Sequence, residues 1–172
     1  AADTPTDVIL FNIDSKSETN GKQNNDAIVN VFLKVFNQMQ GFCGSIPQVA
    51  DLERRLSEEG RYDEFKAAFE EEYGEPWEVS RQDFDFIQDS VVDALVSMNF
   101  MSEAAARNWC EKAVEPYTIS IEDFARRVKS YIDRKGNNHH VVFLVDEIGQ
   151  YIGDDSKLML NLQTVTEELG KE

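Results

Sequence analysis

Two short apolar segments, far apart along the chain, place the strongest constraint on the fold. Residues 8–13 and 141–145 are rich in β-branched and aromatic side chains, and polar residues follow each of them. Runs of this length and composition are typical of buried strands in a parallel sheet. The long connection between them is a crossover, so we expect two parallel strands. Because two parallel strands alone make a poor sheet, we also expect that neighbouring strands are missing from this chain.

Helical spacing of apolar residues dominates the rest of the sequence. Residues 26–40 are expected to form one helix, and residues 46–136 a continuous block of helices without a repeat. We therefore predict a mostly helical α/β fold in three parts. Residues 1–45 hold the first strand and helix, residues 46–136 are a helical insertion, and residues 137–172 hold the second strand and a last helix.

Charge and composition exclude several classes of function. Seventeen Lys and Arg stand against 33 Asp and Glu, a net charge of −16. Phosphate groups must be met by clustered cations, so we expect no direct nucleic-acid contact and no binding to an anionic membrane. No apolar run approaches the length of a membrane span. The two cysteines, Cys43 and Cys110, lack the spacing of a zinc site, and we interpret them as buried thiols of a cytoplasmic protein.

The second apolar segment ends in two acidic residues, Asp146 and Glu147. The carboxyl ends of parallel strands open into the crevice where α/β folds bind ligands. An Asp there can hold Mg²⁺ through water beside a nucleoside triphosphate, and a Glu next to it can activate the attacking water. The alternative is structural, because many strands end in an Asp that caps the following turn. On the pattern alone both interpretations remain open.

The usual companion of such a pair, the phosphate-binding motif GxxxxGK[ST], is not in the sequence. Residues 14–23 come nearest, since they follow a strand and contain Gly21 and Lys22. They lack the first glycine, Gln23 replaces the Ser or Thr, and Glu18 would repel phosphate. We interpret this segment as a solvated loop.

Residues 139–170, with the strand 141–145, the Asp146–Glu147 pair and the helix behind it, resemble the BrxC-type family. These are large P-loop ATPases of bacterial BREX phage-defence systems, and residues 7–42 are compatible with the same family. The resemblance implies a partial P-loop NTPase fold of the AAA-like class. It also implies a Walker B role for Asp146, which holds Mg²⁺ through water, and for Glu147, which acts on the attacking water.

The same resemblance implies that the phosphate-binding loop precedes Ala1 and that this chain is a segment of a larger ATPase. The segment by itself is then expected to be inactive, although the whole protein would bind Mg²⁺ and ATP. Expected partners are other phage-defence proteins, and self-association through an exposed strand edge is expected at high concentration. The alternative prediction is an acidic helical protein-interaction module, residues 46–136, that docks a basic partner and has no nucleotide role.

Overall fold

The structure is a computed structural model, and it describes residues 4–13, 27–136, 138–153 and 155–171. Its elements, in chain order, are β1 (Thr6–Asn12), α1 (Ala27–Met39), α2 (Pro47–Glu58), α3 (Tyr62–Tyr73), α4 (Trp77–Ser80), a 3-10 turn (Arg81–Asp83), α5 (Phe84–Ser97), α6 (Glu103–Ala113), α7 (Ile121–Lys135), β2 (His140–Asp146), α8 (Ile148–Ile152) and α9 (Ser156–Lys171). The predicted mostly helical α/β class is confirmed.

The two strands pair in parallel, as their patterns predicted. The register runs from Thr6 opposite His140 to Asn12 opposite Asp146. Both carboxyl ends therefore lie at the same edge of the sheet. The parallel order brings together two residues, Asn12 and Asp146, that are separated by most of the chain.

One face of this sheet is covered by helices and the other is open. On the covered face, the Phe143 ring lies 5.2 Å from Phe32 of α1 and 6.2 Å from Phe124 of α7. On the opposite face Leu10 is 73% exposed and Leu144 is 47% exposed. Parallel sheets are normally buried on both faces, and here the described residues cover only one of the two.

The chain divides into two compact units. One comprises residues Ala1–Met39 and Thr118–Glu172, and the other, the helical unit, comprises residues Gln40–Tyr117. The boundaries differ from those of the predicted insertion, residues 46–136, because α7 groups with the strands. Its apolar stripe explains this, since the Phe124 and Tyr131 rings lie 5.9 and 5.6 Å from the ring of Phe36 in α1.

The core of the helical unit contains a buried carboxylate, that of Glu53 on α2, which is 0% exposed. Its Oε1 accepts hydrogen bonds from the Trp77 indole and the Tyr62 hydroxyl, both at 2.8 Å, and from the Arg81 guanidinium at 2.7 Å. Its Oε2 accepts the backbone N–H of Cys43 at 2.5 Å. Although burial opposes the charge of Arg81, the Glu53 carboxylate holds the pKa of Arg81 above its usual value. Buried charges persist in proteins when they are paired and hydrogen-bonded in this way.

Local signals predicted some helix ends correctly and others wrongly. Ser102 and Ser120 each stand just before a helical apolar pattern, which predicts that they are N-caps, and their hydroxyls do cap α6 and α7. Ser80, three residues before Asp83, is likewise predicted to cap the helix that carries Phe84, but its hydroxyl donates instead to the carbonyl of Pro76, the residue before α4. Residues 149–154, which contain two glycines, are predicted to form a loop, and this prediction is wrong for residues 149–152, which belong to α8. Asp155 caps α9 by accepting the N–H groups of Lys157 and Leu158, while its predicted partner in capping, residue 154, lies outside the described residues.

Candidate functional site

The two predicted site residues lie at the carboxyl end of β2, beside the end of β1. Asp146 is the last residue of that strand, and Asn12 is its register partner on β1. Asp146 and Glu147 are both exposed. The strand alternation places Asp146 on the open face of the sheet, continuous with Leu144.

Glu147 does not continue the strand. Its backbone is left-handed, with φ 59° and ψ 23°. Its carbonyl accepts the N–H groups of Gln150 and Tyr151, both at 3.1 Å, and so starts α8. Its own N–H donates to Oδ1 of Asp146 at 2.8 Å. Asp146 therefore supports the turn as well as ending the strand, which is the structural role that the sequence left open.

The side chain of Glu147 points to the neighbouring strand end. The side-chain amide of Asn12 donates a hydrogen bond to Oε2 of Glu147. Strand alternation alone would point Glu147 away from the face that carries Asp146, but alternation does not apply to a residue in a left-handed turn. The contact with Asn12 orients this carboxylate instead.

The left-handed conformation of Glu147 is uncommon for a residue with a side chain. Among the residues described, Asn99 and Glu147 are the non-glycine residues with positive φ. Asparagine adopts this region readily, whereas a Glu pays of order 1 kcal/mol or more for it. Such strain is concentrated at functional sites, where the surrounding structure maintains it.

The donor set at this strand end fits a hydrated divalent cation. Mg²⁺ in nucleotide sites keeps several waters and binds one or two protein carboxylates, with phosphate oxygens as further ligands. Asp146 offers one exposed carboxylate of this kind. Among the described residues no group of three or more His, Cys, Asp or Glu side chains is arranged to hold a metal ion by itself. The site therefore fits Mg²⁺ held together with a phosphate and does not fit an all-protein metal cage.

No phosphate cradle accompanies these carboxylates in the described part of the chain. The sequence lacks GxxxxGK[ST], and the segment nearest to it, residues 14–23, lies outside the described residues. The structure thus brings Asp146, Glu147 and Asn12 together and assigns no residue to the triphosphate.

A second polar cluster occupies the opposite end of the sheet, and there the sequence analysis missed two contacts. Oδ2 of Asp7 accepts the Tyr131 hydroxyl at 2.5 Å and lies 2.7 Å from Nε2 of His139. The Tyr131 hydrogen bond and the nearby His139 hold the pKa of Asp7 below its usual value. Burial and the Asp7 carboxylate raise the pKa of Tyr131. This cluster ties β1 to α7 and to the start of β2.

Cysteine chemistry finds no support in the structure. Cys43 and Cys110 are both free and buried. Burial raises the pKa of the Cys110 thiol to about 11. A thiol with so high a pKa is a poor nucleophile near neutral pH, because the thiolate is the reactive form.

Asn12 is the site residue that sequence reasoning missed. Its contact with Glu147 spans most of the chain and depends on the strand register. The available signal was its place near the end of the first apolar run, next to the strand that carries Asp146. Polar side chains at the ends of neighbouring parallel strands meet at one edge of a sheet.

Comparisons with known proteins add no family assignment to this geometry. No protein-family model matches the chain. No solved structure matches it significantly. Within the described residues, every helix is too short or too polar to cross a bilayer.

Proposed function

We propose that this chain is part of the ATPase domain of a BREX-type P-loop protein, in which Asp146 and Glu147 are the Walker B pair. The observation that carries the proposal is the placement of both carboxylates, exposed, at the shared carboxyl end of a parallel strand pair. This is where α/β folds bind phosphate ligands. The strained backbone of Glu147 also supports a functional role for that residue.

Each residue of the site has a distinct role in this proposal. Asp146 would hold a hydrated Mg²⁺, and its Oδ1 accepts the Glu147 N–H, which fixes the position of the Glu147 backbone relative to the Asp146 carboxylate. Glu147 orients the attacking water and accepts its proton. Bound Mg²⁺ would neutralise charge on the terminal phosphates of ATP.

Asn12 is the positioning residue of the site. Its amide donates to Oε2 of Glu147 and fixes the direction of this carboxylate. The carboxylate keeps further lone pairs on both oxygens, with which it can accept a proton from water. The other residues of ATP binding would be supplied from outside this chain, and the chain alone is then not expected to hydrolyse ATP. We further propose a cytoplasmic setting with other phage-defence proteins as partners.

The decisive experiment substitutes Glu147→Gln in the protein encoded by the complete reading frame. ATP binding should persist, because Gln keeps the size of the side chain and its hydrogen bond with Asn12. Turnover should fall by about 10²–10⁴-fold, the usual contribution of a general base. A second single variant, Asp146→Asn, should raise the Mg²⁺ concentration needed for half-maximal turnover.

Glu122→Gln, a substitution of an exposed carboxylate at the start of α7, is the matched control and should leave turnover unchanged. If Glu147→Gln turns over ATP at the normal rate, the Walker B assignment is wrong. The remaining prediction would then be an acidic helical interaction module without a nucleotide role.

A further inference from the structure

The outer face of one helical run in the helical unit carries large apolar side chains that the described structure leaves uncovered. The run consists of α4, the 3-10 turn and α5, residues 77–97. Its buried side follows steps of three and four residues and comprises Trp77, Ser80, Phe84, Ile87 and Val91. The opposite side has the same spacing and comprises Val79, Asp83, Phe86 and Asp93, which we call the outer stripe.

Exposure on the outer stripe is unusually high for apolar residues. Phe86 is 91% exposed and Val79 is 68% exposed. They lie on either side of the 3-10 turn, and each is exposed while Trp77, Ser80, Phe84 and Ile87 around them are buried. Single exposed hydrophobic residues are ordinary, but a nearly fully exposed Phe in line with a second apolar residue resembles a binding anchor.

Carboxylates surround these two anchors. The helical unit, residues Gln40–Tyr117, has eighteen Asp and Glu against seven Lys and Arg, a net charge of −11 out of −16 for the whole chain. Among the described residues, no Lys or Arg lies within ion-pair distance of Asp83, Asp85 or Asp93. Asp89, by contrast, pairs with Arg107 at 3.1 Å. The stripe thus combines apolar anchors with carboxylates that lack cationic partners.

We propose that the outer stripe docks a basic protein segment that presents Arg or Lys next to an apolar side chain. The apolar side chain would cover Phe86 and Val79, and the cations would pair with Asp83 and Asp93. Charge excludes the main competitors: nucleic acid and anionic membranes are repelled by this surface, and so is a second copy of the same acidic unit. The proposal goes beyond the ATPase assignment and does not depend on Asp146 or Glu147.

The helical unit already stacks arginine on phenylalanine within itself. The Arg55 guanidinium lies 5.0 Å from the centre of the Phe100 ring, and that of Arg54 lies 5.6 Å from the centre of the Phe42 ring. Within the described residues, Phe86 has no such cation. An arginine of the docked segment would therefore stack on the part of the Phe86 ring that the apolar side chain leaves open, while it pairs with Asp83 or Asp93.

The test measures fluorescence anisotropy of a labelled synthetic helical peptide in which Arg and Leu recur at helical spacing. A second peptide, with every Leu replaced by Gln, keeps the charge and removes the apolar anchors. The whole chain should bind the first peptide saturably and the second about tenfold more weakly. Phe86→Ser should weaken binding of the first peptide by about tenfold, without a change in the circular dichroism spectrum or the unfolding midpoint.

Matched variants separate the stripe from the general charge and apolarity of the unit. Val114→Ser removes another exposed apolar residue, 53% exposed and outside the run, and should leave binding unchanged. Asp83→Asn combined with Asp93→Asn should weaken binding several-fold and reduce its salt dependence, whereas Glu72→Gln on α3 should not.

Four results of the binding assay would overturn the proposal. The first is the absence of saturable binding, and the second is equal affinity for both peptides. The third is a Phe86→Ser variant that binds as tightly as the original chain. The fourth is a Val114→Ser variant that loses as much affinity as Phe86→Ser. Sedimentation provides the last check on the occupant. If the chain self-associates and Phe86→Ser abolishes that association, a second copy covers the stripe and the basic segment does not.

Discussion

Removal of the Glu53 carboxylate should be among the most damaging single changes in the helical unit. In Glu53→Ala the indole N–H of Trp77 and the backbone N–H of Cys43, both buried, lose their acceptor. The Tyr62 hydroxyl and the Arg81 guanidinium lose the same carboxylate. The charge of Arg81, whose side chain is 15% exposed, is then left without this partner.

The magnitude follows from these contacts. Breaking a buried ion pair from one side costs about 3–5 kcal/mol, because the remaining groups stay buried without compensation. Each buried donor left unsatisfied costs about 1–3 kcal/mol, and the range for the pair already includes part of this. A domain of ordinary size has a free energy of unfolding of about 5–15 kcal/mol. Glu53→Ala should therefore bring the unit close to its folding threshold.

Urea unfolding followed by tryptophan fluorescence is the appropriate assay. The chain has two tryptophans, Trp77 and Trp109, and both lie in the helical unit. Their fluorescence therefore reports on this unit rather than on the one that contains the strands. The free energy of unfolding is obtained by linear extrapolation to zero denaturant.

Two variants with smaller expected losses of stability serve as comparisons for Glu53→Ala. Tyr62→Phe removes one hydrogen bond and should cost about 1 kcal/mol. Glu72→Gln changes an exposed carboxylate and should stay within about 0.5 kcal/mol of the original protein. A loss of less than about 1 kcal/mol in Glu53→Ala, with an unchanged denaturant slope, would show that the buried carboxylate does not hold this core together.

Three further predictions concern Asp7 at one end of the sheet, the Cys110 thiol and the open face of the sheet. Because the pKa of Asp7 is lowered in the folded state, the ionised carboxylate stabilises the fold at neutral pH, and this contribution is lost as the pH falls below about 4. Protection of the β1 and β2 amides against hydrogen exchange should therefore fall in acid, and Asp7→Asn should make this protection depend less on pH. The Cys110 thiol, with its pKa raised to about 11, should react with a disulfide reagent at pH 8 at least about a hundredfold more slowly than in urea. The chain should self-associate at high concentration through its uncovered strands, and Leu10→Lys should reduce this; a concentration-independent monomer mass in light scattering would contradict it.

Much of the secondary structure was predictable because its signals are local. The helix over residues 62–73 has the bounds that its apolar spacing and Gly74 indicated. The inward face of α7 followed from the same periodicity. Burial of Trp77 was predicted on different grounds, because its acidic surroundings argue against a role in stacking nucleic-acid bases. The parallel pairing of two distant strands was also predictable, because an apolar strand needs a partner and a long crossover restricts its direction.

The candidate site was predictable only in part. The sequence placed Asp146 and Glu147 at a strand end, and the structure agrees for Asp146. The left-handed turn at Glu147 and its hydrogen bond with Asn12 were not predictable, because both depend on the register between segments that are distant in the chain. Whether these residues act on ATP stays a proposal.

The sequence by itself determined most of the helices, the two parallel strands and the acidic character of the chain, because periodicity and composition act over a few neighbouring residues. Tertiary structure alone decided three further features. It buried Glu53 within an apolar helix face by surrounding it with donors from other helices, it joined His139 and Asp7 at one end of the sheet, and it assigned α7 to the unit of the strands. Each depends on contacts between distant segments, whose free energy is not encoded in any local pattern.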